Sequence, residues 1–198
     1  MIQFDYMRYF VGFLIMIGLA FIGILLLVRL LFGGGGNQVE KPKSELVSNV
    51  GTSKTVELFV DGPINANLVH TQVKIAVGTT QTTVQLLSGY EGTVVKSESY
   101  ANNAESYASF LRALDIVGYT NGSDDKNLKD ERGFCPLGRR NVFQIKDGAQ
   151  TLQRYWSTSC GKSAQGNFNG DSTTTLRLFR DQIPDYNAFT RGLKGYDF

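Results

Sequence analysis

Hydrophobic residues follow three different patterns along this chain. Residues 9–28 form an uninterrupted apolar run without a charged side chain. Short segments in which every second residue is apolar follow between residues 55 and 99. Beyond residue 102, apolar residues also recur at spacings of three and four. These patterns are typical of a membrane-spanning helix, of half-buried strands and of amphipathic helices, in that order.

The apolar run is long enough to cross a membrane. Because a helix rises 1.5 Å per residue, residues 9–28 correspond to about 30 Å, the thickness of the hydrocarbon core of a bilayer. We predict a transmembrane signal-anchor helix over residues 9–32, preceded by a short cytoplasmic tail, residues 1–8. The small residues Gly33–Gly36 leave a cleaved signal peptide as the alternative.

The segment after the apolar run has the composition of a flexible tether. Residues 33–54 are rich in glycine and poor in apolar side chains, so we predict a flexible linker and a folded domain over residues 55–198. Of the 20 basic and 18 acidic residues in the chain, four basic and two acidic ones precede Ser44, which leaves 16 of each. This balance argues against nucleic acid as a partner, because such domains need a basic surface.

The first part of the domain has the pattern of strands. Val56, Leu58 and Val60 occupy alternate positions, and a turn sequence follows them. The same pattern predicts further strands over residues 71–77, 82–87 and 92–99. Two later segments, residues 141–146 and 149–157, are separated by Asp147-Gly148, which predicts a β-hairpin with a two-residue turn.

Two amphipathic helices complete the predicted domain. Their apolar faces are Tyr107, Leu111 and Leu114 in the first helix and Leu176, Phe179 and Ile183 in the second. Asn102 is the predicted N-cap of the first helix, and Pro184 ends the second. The predicted fold class is α+β, with an antiparallel sheet of about six strands packed with two helices.

The two cysteines, Cys135 and Cys160, are predicted to form a disulfide. If the hairpin turns at Asp147-Gly148, Asn141 faces Arg154 and Cys135 faces Cys160 across the strands. Such a bridge stabilises a domain by about 3–4 kcal/mol. Free thiols are the alternative. Because disulfides persist outside the cytoplasm, the pairing predicts an extracytoplasmic domain.

Two motifs near Cys160 resemble catalytic or nucleotide-binding sequences. Gly161-Lys162-Ser163 matches the end of a phosphate-binding loop, but Trp156 occupies the position where that loop needs a glycine. Ser159 and Lys162 have the spacing of a Ser-x-x-Lys nucleophile, but no helix is predicted there. His70, the only histidine, is predicted to be a hydrogen-bonded surface residue. We therefore predict no catalytic residue, no cofactor site and no metal site.

A partner surface is predicted beside the last strand. Tyr155 and Trp156 point to opposite faces of that strand, so we expect one in the core and the other at a partner surface. Arg139 and Arg140 form a small basic spot nearby. The predicted partner surface consists of Tyr155, Trp156, Arg139 and Arg140.

From Arg132 onward, the sequence resembles a group of bacterial proteins. The order RGFC, RNVFQIKDG, QRYWSTSCG and TLRLFRDQIPDY is similar to that of uncharacterised single-span envelope proteins of small-genome bacteria. This resemblance implies membrane anchoring and assigns no catalytic residue. The order of strands and helices is also similar to that of small secreted protease-inhibitor domains, in topology alone.

These features together predict a membrane-tethered extracytoplasmic domain that is not an enzyme. Its expected partners are the lipid bilayer, through residues 9–32, and a protein or another envelope component. One alternative is a hydrolase or inhibitor domain directed at the cell wall or a protease, and another is a structural subunit of an envelope assembly. A pocket that groups His70 with Asp or Ser residues would favour an enzyme, whereas an exposed apolar or edge-strand surface would favour a binding domain.

Overall fold

A computed structural model describes residues 16–19, 22–23, 46–161, 166–193 and 196. The chain forms two compact units, Met1–Pro42 and Lys43–Phe198. The predicted tail, most of the predicted transmembrane helix and the first part of the predicted linker lie outside the described residues. Residues 16–19 and 22–23 of the first unit are helical. Within the described part of the chain, no helix is both long and apolar enough to span a membrane.

Six strands of the second unit form one antiparallel sheet in the order β4-β3-β2-β1-β5-β6. The strands are β1 (Lys54–Asp61), β2 (Thr71–Val77), β3 (Gln81–Ser88), β4 (Thr93–Ala101), β5 (Arg140–Asp147) and β6 (Gln150–Thr158). The helices are α1 (Ala104–Ile116), α2 (Ser172–Arg180) and the short α3 (Tyr186–Phe189). The predicted α+β class and the predicted six strands are confirmed.

One face of the sheet is buried because apolar residues occupy every second position in its central strands. Val56, Leu58 and Val60 of β1 are fully buried. Each lies directly opposite an apolar residue of β2, and directly opposite side chains in an antiparallel pair share a face. Phe110 of α1 and Phe179 of α2 pack edge to face within the same core, with ring centroids 5.2 Å apart. The alternation in the strands therefore determines which face the helices cover.

The N-cap of α1 is Asn103 rather than the predicted Asn102. The Asn103 side chain accepts a hydrogen bond from the Ser106 backbone N–H at 2.9 Å. The Asn102 side chain instead donates to the Gly78 carbonyl at 2.8 Å. Both residues suit a helix N-terminus, and the tertiary bond to Gly78 determines which of them caps the helix.

The hairpin between β5 and β6 differs from the predicted one in its register. Asp147 stays in β5 opposite Gln150, so the turn consists of Gly148 and Ala149. Gly148 adopts a positive φ of 56°, which places the glycine first in the turn, as in a type II′ hairpin. Asp147 is held in the strand because its carboxylate accepts a hydrogen bond from the Ser53 hydroxyl. The predicted pairing of Asn141 with Arg154 is therefore wrong.

The folded domain begins earlier than the predicted residue 55. Leu46 is buried in the core, and a 3-10 helix, Val47–Asn49, follows it. The Gly51 backbone N–H donates to the Thr79 hydroxyl at 3.2 Å. Because Leu46 and the residues after it pack on the sheet, the predicted flexible linker, residues 33–54, extends too far.

Candidate functional site

Five large apolar side chains are exposed on the described loops at one end of the sheet. This distal end is where β1 ends and β2 begins, and the proximal end is where β1 begins at Lys54. The five residues, named the distal platform below, are Ile64, Leu68, Val69, Tyr90 and Leu137. The exposed fraction reaches 92% for Leu68 and 88% for Leu137. Turns usually carry small or polar residues, so an apolar group of this size on loops suggests a binding surface.

The loops that carry the distal platform are hydrogen-bonded to one another. The Tyr90 hydroxyl donates to the Asn65 carbonyl at 2.8 Å, and the Asn67 side chain accepts from the Tyr90 backbone N–H at 2.8 Å. The Ile64 backbone N–H donates to the Pro136 carbonyl at 2.8 Å. These bonds join the β1–β2 loop to the β3–β4 turn and to the loop before β5. The platform therefore rests on ordered loops.

A buried polar cluster lies directly beneath these loops. It consists of the buried residues His70, Gln72 and Arg140 around Asp61, whose side chain is 14% exposed. Asp61 Oδ2 accepts from Arg140 Nε at 2.9 Å and Nη2 at 2.5 Å, and Asp61 Oδ1 accepts from His70 Nε2 at 2.8 Å and Gln72 Nε2 at 3.1 Å. Arg140 also donates to the Gly62 carbonyl. One carboxylate thus joins the end of β1 to the starts of β2 and β5.

His70 connects the buried polar cluster to the distal platform. Its ring stacks on the Tyr90 ring, with centroids 3.9 Å apart and an interplanar angle of 14°. Its Nδ1 lies 3.2 Å from the Pro63 carbonyl oxygen, and its Nε2 faces the Asp61 carboxylate. Both oxygen groups only accept hydrogen bonds, and the tautomer decides which ring nitrogen donates to them. Because the ring is fully buried and both of its nitrogens face protein groups, neither nitrogen is open to a substrate, which argues against His70 as a general base.

The predicted surface position of His70 is wrong, because its side chain is fully buried. His70 lies at the start of a strand, next to Asn67, and nothing in this local sequence shows that its side chain is buried. The pairing with Asp61 draws the ring into the interior. An imidazole with hydrogen-bond partners on both nitrogens tolerates burial.

The predicted disulfide between Cys135 and Cys160 is present, with their Cα atoms 5.6 Å apart. It ties the loop before β5 to the residues that follow β6. The Gly138 backbone N–H donates to the Cys135 carbonyl at 3.1 Å, which forms a turn with Leu137 near its tip. A side chain at Gly138 would collide with both Cys135 Sγ and Ser159 Oγ, so only glycine fits there. The bridge thus holds one residue of the distal platform in place.

Two of the four residues predicted to form a partner surface are buried. Trp156 is fully buried, and its Nε1 donates to the Leu128 carbonyl at 2.6 Å. Arg140 is 2% exposed and belongs to the buried polar cluster. Tyr155 is half-buried and packs against the core, and Arg139 is half-buried beside the disulfide loop. The predicted surface is therefore wrong for Trp156 and Arg140, because the loop before β5 covers that face of the sheet.

The sequence contains a sign of the distal platform that the alternation pattern does not reveal. Ile64, Leu68 and Val69 lie between two strands, in a segment that carries too many large apolar residues for an ordinary connection. Leu137 follows Cys-Pro and precedes Gly, a sequence typical of a turn. These positions stand out in the sequence as large apolar residues inside turns.

Among the residues that the structure describes, no group of three or more His, Cys, Asp or Glu side chains is arranged to hold a metal ion. The Asp61 carboxylate is already satisfied by Arg140, His70 and Gln72. Comparison of the sequence with protein-family models finds no matching family, and comparison with curated proteins finds no match. The function is therefore argued from the geometry of this chain.

Proposed function

We propose that this chain is a membrane-anchored, extracytoplasmic binding domain that contacts a protein of the cell envelope through the distal platform. The observation that carries the proposal is the exposure of five large apolar side chains on loops that are hydrogen-bonded to each other and tied down by a disulfide. Apolar side chains on preorganised loops lose little conformational entropy on binding, so their burial translates into affinity.

Membrane anchoring is supported by the apolar run of residues 9–28. The described residues within that run are helical, and the side chains of Met16, Ile17, Leu19 and Ile22 are exposed. A helix with apolar side chains on its surface is stable in a bilayer and costly in water. We propose a single-pass signal anchor over residues 9–32, followed by a tether that ends where Leu46 enters the core.

An extracytoplasmic location is supported by the disulfide, which forms in oxidising compartments. It can be tested by labelling the cysteines in intact cells. After reduction and unfolding, a membrane-impermeant thiol reagent should modify both Cys135 and Cys160. Labelling of both cysteines by a permeant reagent without reduction, together with protection from the impermeant one, would contradict the proposed topology.

A binding role is favoured over catalysis by the state of the single histidine. His70 is buried and hydrogen-bonded through both ring nitrogens. Perturbed side chains on the described surface are explained by their neighbours: hydrogen bonds from Arg132 lower the pKa of Asp130 to about 2, and the hydrogen bond to Glu98 raises the pKa of Tyr100 to about 12. Neither arrangement offers a group poised for proton transfer to a substrate.

The proposed function is tested by photocrosslinking in native membranes. A photoreactive phenylalanine analogue at position 68 or 137 should give the same discrete adduct, because both side chains belong to the distal platform. The matched control is position 116, where Ile116 is 84% exposed but belongs to α1, which carries no residue of the platform. Absence of an adduct at both platform positions, or an identical adduct at position 116, would contradict the proposal.

A further inference from the structure

The two edge strands of the sheet differ in how their outer backbone groups are used. At the β6 edge, the Phe168 backbone N–H donates to the Trp156 carbonyl at 3.0 Å, and the Asn167 side chain accepts from the Trp156 N–H at 2.8 Å. At the β4 edge, the described residues form backbone bonds to β3 alone across the length of the strand. An edge of this kind offers a row of donors and acceptors to another strand.

Strand β4 is accessible as well as open. Seven of its nine residues are exposed, and the other two, Glu98 and Tyr100, are half-buried. Val94 and Val95 are 48% and 57% exposed, respectively. An exposed edge with β-branched residues is a site at which another strand adds to a sheet.

We propose that two copies of this chain pair antiparallel through β4, with Ser97 on the two-fold axis. In this register, Lys96 of each copy lies directly opposite Glu98 of the other, and Val94 lies opposite Tyr100. Directly opposite side chains in an antiparallel pair share a face and come within contact distance. The two cross-strand ion pairs would add to the Lys96–Glu98 pair within each copy, which is 3.1 Å long.

Two other symmetric pairings, with the two-fold axis one residue to either side of Ser97, place like charges opposite each other. A two-fold axis at Lys96 sets Lys96 against itself, and an axis at Glu98 sets Glu98 against itself. Like charges in directly opposite positions destabilise a strand pair. The extra residue of the β4 bulge, Val95, lies outside the central Lys96–Glu98 segment, so the bulge does not interrupt the core of the pairing. The charges of β4 therefore select one register.

This pairing uses different residues from the distal platform and is independent of the proposed function. Joining two β4 edges makes one continuous sheet of twelve strands, since each copy contributes the six strands of its own sheet. It also removes the open edge, which otherwise exposes the protein to aggregation. The partner at this surface is a second copy of the chain.

The register is tested by disulfide crosslinking of the full chain in lipid vesicles. The described chain has no free cysteine, so an introduced one is the only reactive thiol. On the two-fold axis, the two copies of Ser97→Cys would have Cα atoms about 5 Å apart, which suits a disulfide. The copies of Ser99→Cys would be four residues apart along the strands, about 13 Å, which is too far.

We therefore expect a crosslinked dimer with Ser97→Cys and a monomer with Ser99→Cys under the same oxidant. Equal crosslinking of the two variants would contradict the register, and a Ser97→Cys chain that stays monomeric would overturn the pairing. A dimer that forms while photocrosslinking at positions 68 and 137 fails would leave the pairing intact and refute only the platform as a binding site.

Charge exchange provides a second test of the same register. Lys96→Glu or Glu98→Lys alone would face like charges across the axis, and each should lower the crosslinking yield of Ser97→Cys about tenfold. A mixture of the two variants, or the double variant, restores opposite charges and should recover the yield. Arg112→Glu, on the exposed surface of α1, is the control that should have no effect. Failure of the double variant to recover the yield would contradict the proposed ion pairs.

Discussion

The two ends of the sheet are built in opposite ways. At the proximal end, the turns contain small or polar residues, such as Thr79, Thr80 and Ala149, and Asp147 accepts a single hydrogen bond from Ser53. At the distal end, the loops expose Leu68 and Leu137 above the largely buried carboxylate of Asp61, which has three side-chain partners. The arrangement of apolar and charged groups is thus inverted at the distal end, with the apolar groups outside and the charges inside.

The difference separates two kinds of loop. The proximal turns only connect strands, whereas the distal loops are fixed in a conformation that exposes apolar side chains. A connecting turn is stable when its backbone is solvated and its residues tolerate the required φ and ψ angles. Loops that expose apolar groups must be kept from collapsing onto the sheet. The hydrogen bonds to Asn65 and Asn67, the stacked His70 and the disulfide provide that constraint.

The largest loss of stability is expected from Asp61→Asn. The substitution keeps the size of the side chain but leaves the Arg140 guanidinium buried without a counter-charge. Removing one partner of a buried ion pair costs about 3–5 kcal/mol. The free energy of unfolding of the full chain can be measured by urea denaturation in mild detergent, with the fluorescence of the single tryptophan, Trp156, as the probe.

The matched variant at the proximal end is Asp147→Asn. Asp147 is half-buried and has the Ser53 hydroxyl as its side-chain partner, so we expect a change below about 1 kcal/mol. Equal losses for Asp61→Asn and Asp147→Asn would show that the two ends are not built differently, and would contradict the role assigned to the buried polar cluster.

The second largest effect is expected from removal of the disulfide. With 25 residues of separation between Cys135 and Cys160, the double serine variant should lose about 3–4 kcal/mol. The parent chain unfolded in the presence of reductant serves as the control, because it lacks the same constraint without any substitution. If reduction left the unfolding midpoint of the parent unchanged, the bridge would have no role in holding the loop of Leu137.

The N-cap of α2 belongs to neither group of loops and serves as a reference for the stability change caused by losing one ordinary local interaction. The Asp171 side chain accepts from the Thr174 backbone N–H at 2.9 Å at the start of α2, and Asp171→Ala should cost about 1 kcal/mol at neutral pH.

The contribution of Asp171 should also depend on pH. Hydrogen bonds from the Thr174 side chain and backbone lower the pKa of Asp171 below its ordinary value of 3.8. Since the folded-state pKa is the lower one, the stabilisation is complete above the unfolded-state pKa and disappears as pH falls through the folded-state pKa. The difference between Asp171→Ala and the parent should therefore shrink at acidic pH, and a difference that grew on acidification would contradict the cap.

Much of the fold could be predicted from the sequence, because alternation and helical spacing report burial directly. The strands of the core and the apolar face of the first helix follow from such patterns, whereas the second helix ends at Arg180, before the predicted Pro184, and Ile183 is buried in the segment that follows it. The hairpin register could not be predicted, since the choice between turning at Asp147-Gly148 and at Gly148-Ala149 depends on the contact of Asp147 with Ser53, which is distant in sequence. The disulfide was predicted correctly from a wrong register, because Cys135 lies in a loop outside β5.

The candidate site was harder to predict because it combines residues from three separate loops. Asp61, His70 and Arg140 meet only after β1 has paired with both β2 and β5. Arg140 and Trp156 are residue types common at interfaces, and the sequence does not show that the loop before β5 folds over them. Apolar residues in turns were the informative feature, and they indicate binding only once their exposure is known.

The smallest effect on stability is expected from the double variant Leu68→Ser/Leu137→Ser. The same variant tests most directly whether the distal platform is the binding surface. Both side chains are exposed, so the free energy of unfolding should change by less than about 0.5 kcal/mol. A photoreactive residue that replaces Val69 should give no adduct in the double variant. In the control background Ile116→Ser, the same residue should give the adduct at full yield. Retention of the full adduct yield in the folded double variant would contradict the distal platform as the binding surface.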